Sequence, residues 1–213
     1  MTRSVINVAL MVMVLWAGSA LDGLAQVGKS QGVVDANSAP EKDLSTLPGM
    51  TPAIVKAVVA RRPFMSAVEL NTFLLAQGLT AEQAAAFYAK AFVHVNLNTA
   101  TPEEILLVPN AGKRMVHEFD EYRPWKTYAQ FDKEIGKYVG PEATAKLAQY
   151  TFIPMDANTA SDEALMTIPG ADAALVARIK GARPYKSAAD LEAAVAKGAT
   201  PAEGKRVARY FVF

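Results

Sequence analysis

VNLNTATPEEILLVPNAGKRMVHEFDEYRPW, residues 95–125, is the stretch of sequence that decides the fold. Thr101 lies where a helix N-cap is expected, and Pro102 follows at the first helical position, where its missing N–H costs nothing. Residues 109–112, PNAG, interrupt this helix, and an apolar-periodic segment resumes after them. Arg123-Pro124 ends the second segment, because the residue before a proline is displaced from helical geometry. The stretch therefore predicts a helix, a four-residue hairpin and a second helix.

The same pattern occurs three times along the chain, with spacings of 61 and 60 residues between its landmarks. A fixed period shared by independent landmarks indicates tandem repeats. The landmarks are the hairpin proline, an Arg-Pro-aromatic triplet and an Asx-Xaa-Asn lead-in: Pro48, Pro109 and Pro169; Arg62-Pro63-Phe64, Arg123-Pro124-Trp125 and Arg183-Pro184-Tyr185; Asp35-Ala36-Asn37, Asn96-Leu97-Asn98 and Asp156-Ala157-Asn158. We interpret the chain as three copies of one unit.

Each copy contains a second pair of apolar segments after the Arg-Pro-aromatic triplet. Their apolar residues fall four positions apart, on one face of a helix: Leu70 and Leu74, Phe131 and Ile135, Leu191 and Val195. The apolar tails that close the copies are too short to predict strands. We therefore expect an all-α protein of three tandem (helix–hairpin–helix)₂ repeats, unit 1 (34–94), unit 2 (95–154) and unit 3 (155–213), each with its own core.

An N-terminal segment precedes the repeats and has the composition of a secretion signal. Arg3 supplies the positive start, residues 5–16 are almost entirely apolar, and small residues suited to cleavage follow. We expect residues 1–26 to be a signal peptide and residues 27–33 a short leader, which makes the protein exported, periplasmic or extracytoplasmic. The alternative is an uncleaved membrane anchor over residues 5–21, tilted little.

Composition excludes several classes of function. The chain has 22 Lys and Arg against 21 Asp and Glu, a net charge of +1, and no cysteine. No Ser-His-Asp, Cys-His or paired-carboxylate arrangement stands out, and His94 and His117 are isolated from each other, whereas a metal site needs clustered ligands. The sequence predicts no enzymatic activity, no catalytic residue, no metal, no cofactor and no small-molecule substrate.

The segment VNLNTATPEEILLVPNAGKRMVHEF resembles the helix-hairpin-helix domain of the ComEA-type proteins, which are exported bacterial proteins that bind DNA during natural transformation. The resemblance covers residues 34–213, three times over. In the DNA-binding members the hairpin is similar to Pro-Gly-hydrophobic-Gly, and its backbone amides donate to a phosphate at the start of the next helix. The same fold also resembles that of a photosystem extrinsic subunit that binds protein, and fold alone does not settle function.

The resemblance implies a DNA-phosphate site in unit 2, at Asn110, Ala111, Gly112, Lys113 and Arg114. No copy keeps both hairpin glycines, and the weaker candidates are Gly49, Gly140, Gly170 and Gly198. Elsewhere the hairpins end in side chains that cap the next helix, Thr51, Thr80, Asp172 and Thr200, and so use the amides that a phosphate would need. The aromatic residues of the three triplets are expected in the core, with stacking on bases as the alternative.

Two functions follow as hypotheses. The first is sequence-non-specific binding of double-stranded DNA, as in DNA uptake, through hairpin contacts to phosphates. The alternative is an extracytoplasmic interaction or scaffold module that binds an envelope protein, its hairpins no longer suited to DNA. A near-neutral charge favours the second hypothesis, because non-specific affinity grows with the number of phosphates that cations neutralise.

Overall fold

The computed structural model describes residues 27–28 and 32–213, and it is mostly helical. The predicted signal peptide lies outside the described residues. Each unit holds a short strand, its helices and a second short strand. The elements in chain order are β1 Val34–Asp35, α1 Glu41–Leu44, α2 Pro52–Arg61, α3 Ala67–Ala76, α4 Ala81–Tyr88, β2 Ala91–Phe92, β3 Val95–Asn96, α5 Pro102–Leu107, α6 Lys113–Glu121, α7 Tyr128–Ala148, β4 Thr151–Phe152, β5 Met155–Asp156, α8 Asp162–Leu165, α9 Ala173–Gly181, α10 Ala188–Ala196, α11 Pro201–Ala208 and β6 Phe211–Val212.

The helix signals read from the sequence are confirmed at their ends. Thr101 caps α5 by accepting a hydrogen bond from the backbone N–H of Glu104, whose side chain accepts from the N–H of Thr101 in return. The predicted break near Gly140 falls inside α7, where Gly140 has φ 77° and ψ 168° and separates two helical segments. Because α7 is interrupted there, unit 2 has four helical segments in succession, as do units 1 and 3.

The apolar tails, too short to predict strands, form short strands in the structure. Each of them pairs in parallel with the lead-in of its own unit, β1 with β2, β3 with β4 and β5 with β6. Two-residue strands carry no periodicity, so their local sequence could not reveal them. The pairing brings the start and the end of each unit together beside the helices.

The sequence landmarks form the same hydrogen-bond network in all three units. The lead-in asparagine accepts from the backbone N–H of the triplet aromatic and donates to its carbonyl: Asn37 with Phe64, Asn98 with Trp125, and Asn158 with Tyr185. The triplet arginine donates to one carbonyl of the lead-in and to another three residues later: Ala36 and Ala39 from Arg62, Leu97 and Ala100 from Arg123, and Ala157 and Ala160 from Arg183. Buried backbone groups need such hydrogen-bond partners. The landmark residues therefore recur in each unit for a structural reason.

The expectation of three separate cores is wrong for the first two units. One continuous cluster of buried apolar side chains runs from Val33 to Ile153 and includes both of them, and a second cluster holds unit 3. Aromatic pairs cross the boundaries, Phe92 with Tyr150 at 5.3 Å and Phe152 with Tyr210 at 4.7 Å between ring centroids. A unit of about sixty residues buries little surface alone, so packing against a neighbour adds core.

Units 1 and 3 also touch. Arg209 donates from Nη2 to the carbonyl oxygen of His94 at 2.8 Å. A methyl group added at Gly170 would lie 3.3 Å from Cβ of Ser38. Within the described residues, no helix is both long and apolar enough to cross a membrane.

Candidate functional site

The hairpin between α5 and α6 is built by backbone hydrogen bonds alone. The N–H of Ala111 donates to the carbonyl of Val108 at 2.9 Å, and Asn110 between them has φ 67°. Gly49 and Gly170 occupy the same place in units 1 and 3, each with φ 76°. Asparagine is among the few residues that tolerate this left-handed conformation, so the turn survives the loss of glycine.

The N-terminus of α6 is open, whereas its counterparts are closed. Gly112 is the N-cap and has no side chain to offer, and nothing lies within 4 Å of where its Cβ would be. In α2 the hydroxyl of Thr51 accepts from the N–H of Ile54 at 3.3 Å, and in α9 the carboxylate of Asp172 accepts from the N–H of Leu175 at 2.7 Å. The predicted caps are confirmed, and they leave α6 with first-turn amides that no N-cap side chain occupies.

The second hairpin of each unit shows the same contrast between capped and uncapped helix starts. Thr80 caps α4 by accepting from Gln83, and Thr200 caps α11 by accepting from Glu203. Gly140 starts the second half of α7 without a side chain, and no atom would approach a methyl group placed there. Both open hairpins therefore belong to unit 2.

Arg114 connects these two hairpins. Its guanidinium carbon lies 4.3 Å from the centroid of the Tyr138 ring, two residues before Gly140. Its Nε is 3.5 Å from Oε1 of Glu118, a carboxylate that is largely buried, although 62% of the Arg114 side chain remains exposed. The hydrogen bond between the hydroxyls of Tyr138 and Tyr122, 2.9 Å between oxygens, and desolvation raise the pKa of Tyr138. The ring is thus neutral, and Arg114 stacks on it as a cation on a π face.

Lys113 has fewer side-chain contacts than Arg114. It is exposed, and no ion pair to it occurs among the described residues. It borders a cavity of ≈ 360 Å³ between α5 and α6 that His117, Asp120 and Arg123 also line. Because that cavity mixes both signs of charge, it adds no further positive surface to the hairpin.

The remaining glycine candidates are closely approached by protein atoms. A methyl group at Gly49 would lie 3.3 Å from Leu79, and one at Gly170 lies against Ser38 of unit 1. Gly198 accepts a hydrogen bond from Nη2 of Arg178 at 3.3 Å, and its φ is not in the left-handed region. Of the four weaker candidates, only Gly140 has open space around it.

The triplet aromatics lie in the core, as expected, and the stacking alternative is wrong. Phe64, Trp125 and Tyr185 are 0%, 1% and 4% exposed, so no base could reach their rings. His117 is exposed and lies 3.2 Å from Glu121. In the described part of the chain, no three His, Cys, Asp or Glu side chains come together as a metal site would require.

A feature that the sequence did not indicate is a buried pair within unit 1, beside its contact with Arg209 of unit 3. Nδ1 of His94 lies 3.3 Å from Oδ2 of Asp35, and both side chains are almost fully buried. Burial alone would raise the pKa of Asp35, but the hydrogen bond and charge of His94, with Arg206 and Arg209 nearby, lower it. A cavity of ≈ 700 Å³ adjoins the pair, and neither Gly112 nor Gly140 lines it. The two residues are 59 positions apart, which gives no sequence signal.

Comparison with protein-family models, with curated proteins and with solved structures gives no match to this chain.

Proposed function

We propose that the chain is an exported, non-enzymatic protein of three tandem (helix–hairpin–helix)₂ repeats that binds double-stranded DNA without sequence preference through unit 2. The observation that supports this proposal is the contrast at the hairpins. Of the six helix starts that follow a hairpin, four are capped by Thr or Asp side chains, and the two that are not, at Gly112 and Gly140, both lie in unit 2. Lys113 and Arg114 directly follow Gly112, and Arg114 stacks on Tyr138, two residues before Gly140.

The chemistry of the site suits a phosphate. Free N–H groups at the start of α6 point out of the helix, and the helix dipole favours an anion there. Lys113 and Arg114 are unfavourable at a helix start by a few tenths of a kcal/mol to about 1 kcal/mol, and a bound anion relieves this cost. Arg114 is already oriented by Tyr138, so less of its rotamer freedom is lost on binding.

The affinity should be weak and sensitive to salt. One open hairpin contacts few phosphates, and the net charge of +1 supplies little long-range attraction. Contacts of this kind fix the position of the protein on the duplex and carry no sequence information.

The test is a titration of a fluorescent duplex at several salt concentrations, with the wild type and with Lys113→Ala/Arg114→Ala. Two lost phosphate contacts should reduce the slope of log K against log salt by about 2. Lys197→Ala/Lys205→Ala is the matched control, because it removes two exposed cations far from the hairpin. Equal effects of the two double variants, or no binding at low salt, would reject the mechanism.

The second candidate function is an interaction module that binds an envelope protein. The four capped hairpins favour it, since they no longer offer amides to a phosphate, and the charge is nearly neutral. A pull-down from an envelope fraction that yields no protein, together with clear retention on DNA, excludes this alternative. Cell fractionation of the full chain tests the proposed export, for which the sequence of residues 1–26 is the support.

A further inference from the structure

Three residues beside the uncapped helix starts distinguish unit 2 from its neighbours. They are Arg114, Glu118 and Tyr138, and they form one cluster, because both Glu118 and Tyr138 contact Arg114. Neither of the other units has this combination. At the equivalent positions unit 1 has Ala53, Ala57 and Gly78, and unit 3 has Ala174, Arg178 and Gly198.

Glu118 is a buried carboxylate with few partners. It is 5% exposed, and its Oε2 is buried and accepts no hydrogen bond from any described residue. Its Oε1 lies 3.5 Å from Nε of Arg114, and no other cation in the described part of the chain forms an ion pair with it. A buried carboxylate has lost its hydration and depends on the positive charge beside it. Arg114 is therefore the counter-charge of Glu118.

The fold does not require an acid at this position. In unit 3 the equivalent Arg178 donates from Nη2 to the carbonyl of Gly198 at 3.3 Å, within the second hairpin. In unit 1 the equivalent residue is Ala57, and α2 and α9 both form with these residues in place. Unit 2 thus has a negative charge where a small or a positive side chain also fits.

A phosphate at the start of α6 would meet Glu118 in two ways. It would compete with the carboxylate for Arg114, and drawing Arg114 away would leave a buried charge without its partner. The two anions would also repel each other, and burial makes this repulsion stronger than it is in water. Both effects lower the affinity for a phosphate.

We propose that Glu118 restrains Arg114 in an autoinhibitory ion pair, and that the unit 2 site therefore binds DNA more weakly than its hairpin and cations allow. This inference rests on the proposed function, because it concerns the regulation of the same site. Neutralising Glu118 releases Arg114 and strengthens binding. Tyr138 has a different role, since its ring supports the guanidinium and does not compete for the charge.

The experiment titrates a fluorescent duplex at low salt with the full chain and with Glu118→Gln, which keeps the shape of the side chain and removes its charge. Glu121→Gln is the matched control, because it removes the same charge from the same helix at a side chain that is 51% exposed. Glu118→Gln should bind about three- to tenfold more tightly than the wild type, and Glu121→Gln less than about twofold more tightly. In an Arg114→Ala background the difference between the two variants should disappear.

A second measurement follows the ion pair without DNA. In proton NMR of the isotope-labelled chain, the Nε–H of Arg114 should exchange with water at least about threefold faster in Glu118→Ala than in the wild type, because its acceptor is gone. Glu121→Gln should leave this exchange unchanged. Alanine is the residue of unit 1 at the equivalent position, so the substitution suits the fold.

Three results would overturn the proposal. The first is binding by Glu118→Gln that is no tighter than binding by Glu121→Gln. The second is binding weaker than that of the wild type, which would make Glu118 a positioning residue for Arg114. The third is an Nε–H exchange that Glu118→Ala does not change. If neither the wild type nor Glu118→Gln binds the duplex at low salt, the proposed function itself is rejected, and this proposal with it.

Discussion

Replacing Gly112 by aspartate should raise the stability of the protein and abolish DNA binding at the same time. Asp172 shows the geometry to expect, since its carboxylate accepts from the N–H three residues later at 2.7 Å. Gly112 has φ −96° and ψ −174°, which any residue adopts, and there is open space for a side chain. Glycine is itself a tolerated N-cap, so the aspartate cap should add only a few tenths of a kcal/mol to the free energy of unfolding. For a chain of this size, that is a rise in Tm of about 1 °C.

The same substitution should weaken DNA binding by more than about tenfold. The carboxylate would occupy the first-turn amides of α6 and place a negative charge where a phosphate is expected to lie. Gly112→Ser is the intermediate case, because a serine cap takes an amide without adding charge. Thermal unfolding by circular dichroism and a fluorescence titration at low salt measure the two effects in the same samples.

The opposite signs of the two effects make this experiment decisive. A global loss of structure would lower both stability and affinity, so it could not imitate the expected result. A raised Tm with unchanged affinity for DNA would show that the cap forms and that the hairpin does not hold a phosphate. Asp172→Gly is the reverse control: it should lower the free energy of unfolding by several tenths of a kcal/mol and leave DNA affinity unreduced.

Three further outcomes are expected from the fold. Asn98→Ala leaves the buried backbone of Trp125 without its partners and should lower the free energy of unfolding by about 2 kcal/mol in urea titration. Phe119→Ala, in the core shared by units 1 and 2, should cost about 3–5 kcal/mol in the same assay. The pKa of Asp35 is lowered, so its contribution is present above pH about 4, the unfolded value, and is lost as pH falls through the folded pKa. Asp35→Asn should therefore destabilise at pH 7 and flatten the acid limb, and an unchanged acid limb would contradict this reasoning.

Most of the helices could be predicted because their signals are local. Thr101, Pro102 and Glu104 fix the start of α5 within four residues, and the Arg-Pro pairs end α2, α6 and α9. The apolar positions four apart mark the buried faces, and Leu70, Ile135 and Leu191 are all 0% exposed. The shared core of units 1 and 2 could not be predicted. The same local pattern of apolar residues is expected whether the three units pack separately or share a core.

The candidate site was predictable only in part, for a similar reason. The hairpin residues and their caps lie within a few positions of one another, so the sequence places them correctly. The stacking of Arg114 on Tyr138 joins residues 24 positions apart, and the pair of Asp35 and His94 joins residues 59 apart. Contacts at such separations depend on how helices pack, which the period of the sequence does not specify.

Different residues hold the scaffold of a unit and form its hairpins, which explains how the hairpin sequences could diverge. The asparagine and arginine network holds the lead-in against the helix end in all three units, and none of its residues lies in a hairpin. The first hairpins have nearly the same backbone at Gly49, Asn110 and Gly170, with φ 76°, 67° and 76°. They end in different N-cap residues, threonine, glycine and aspartate. Because the scaffold does not depend on the cap, a change of one side chain is enough to occupy or free the first-turn amides of the next helix.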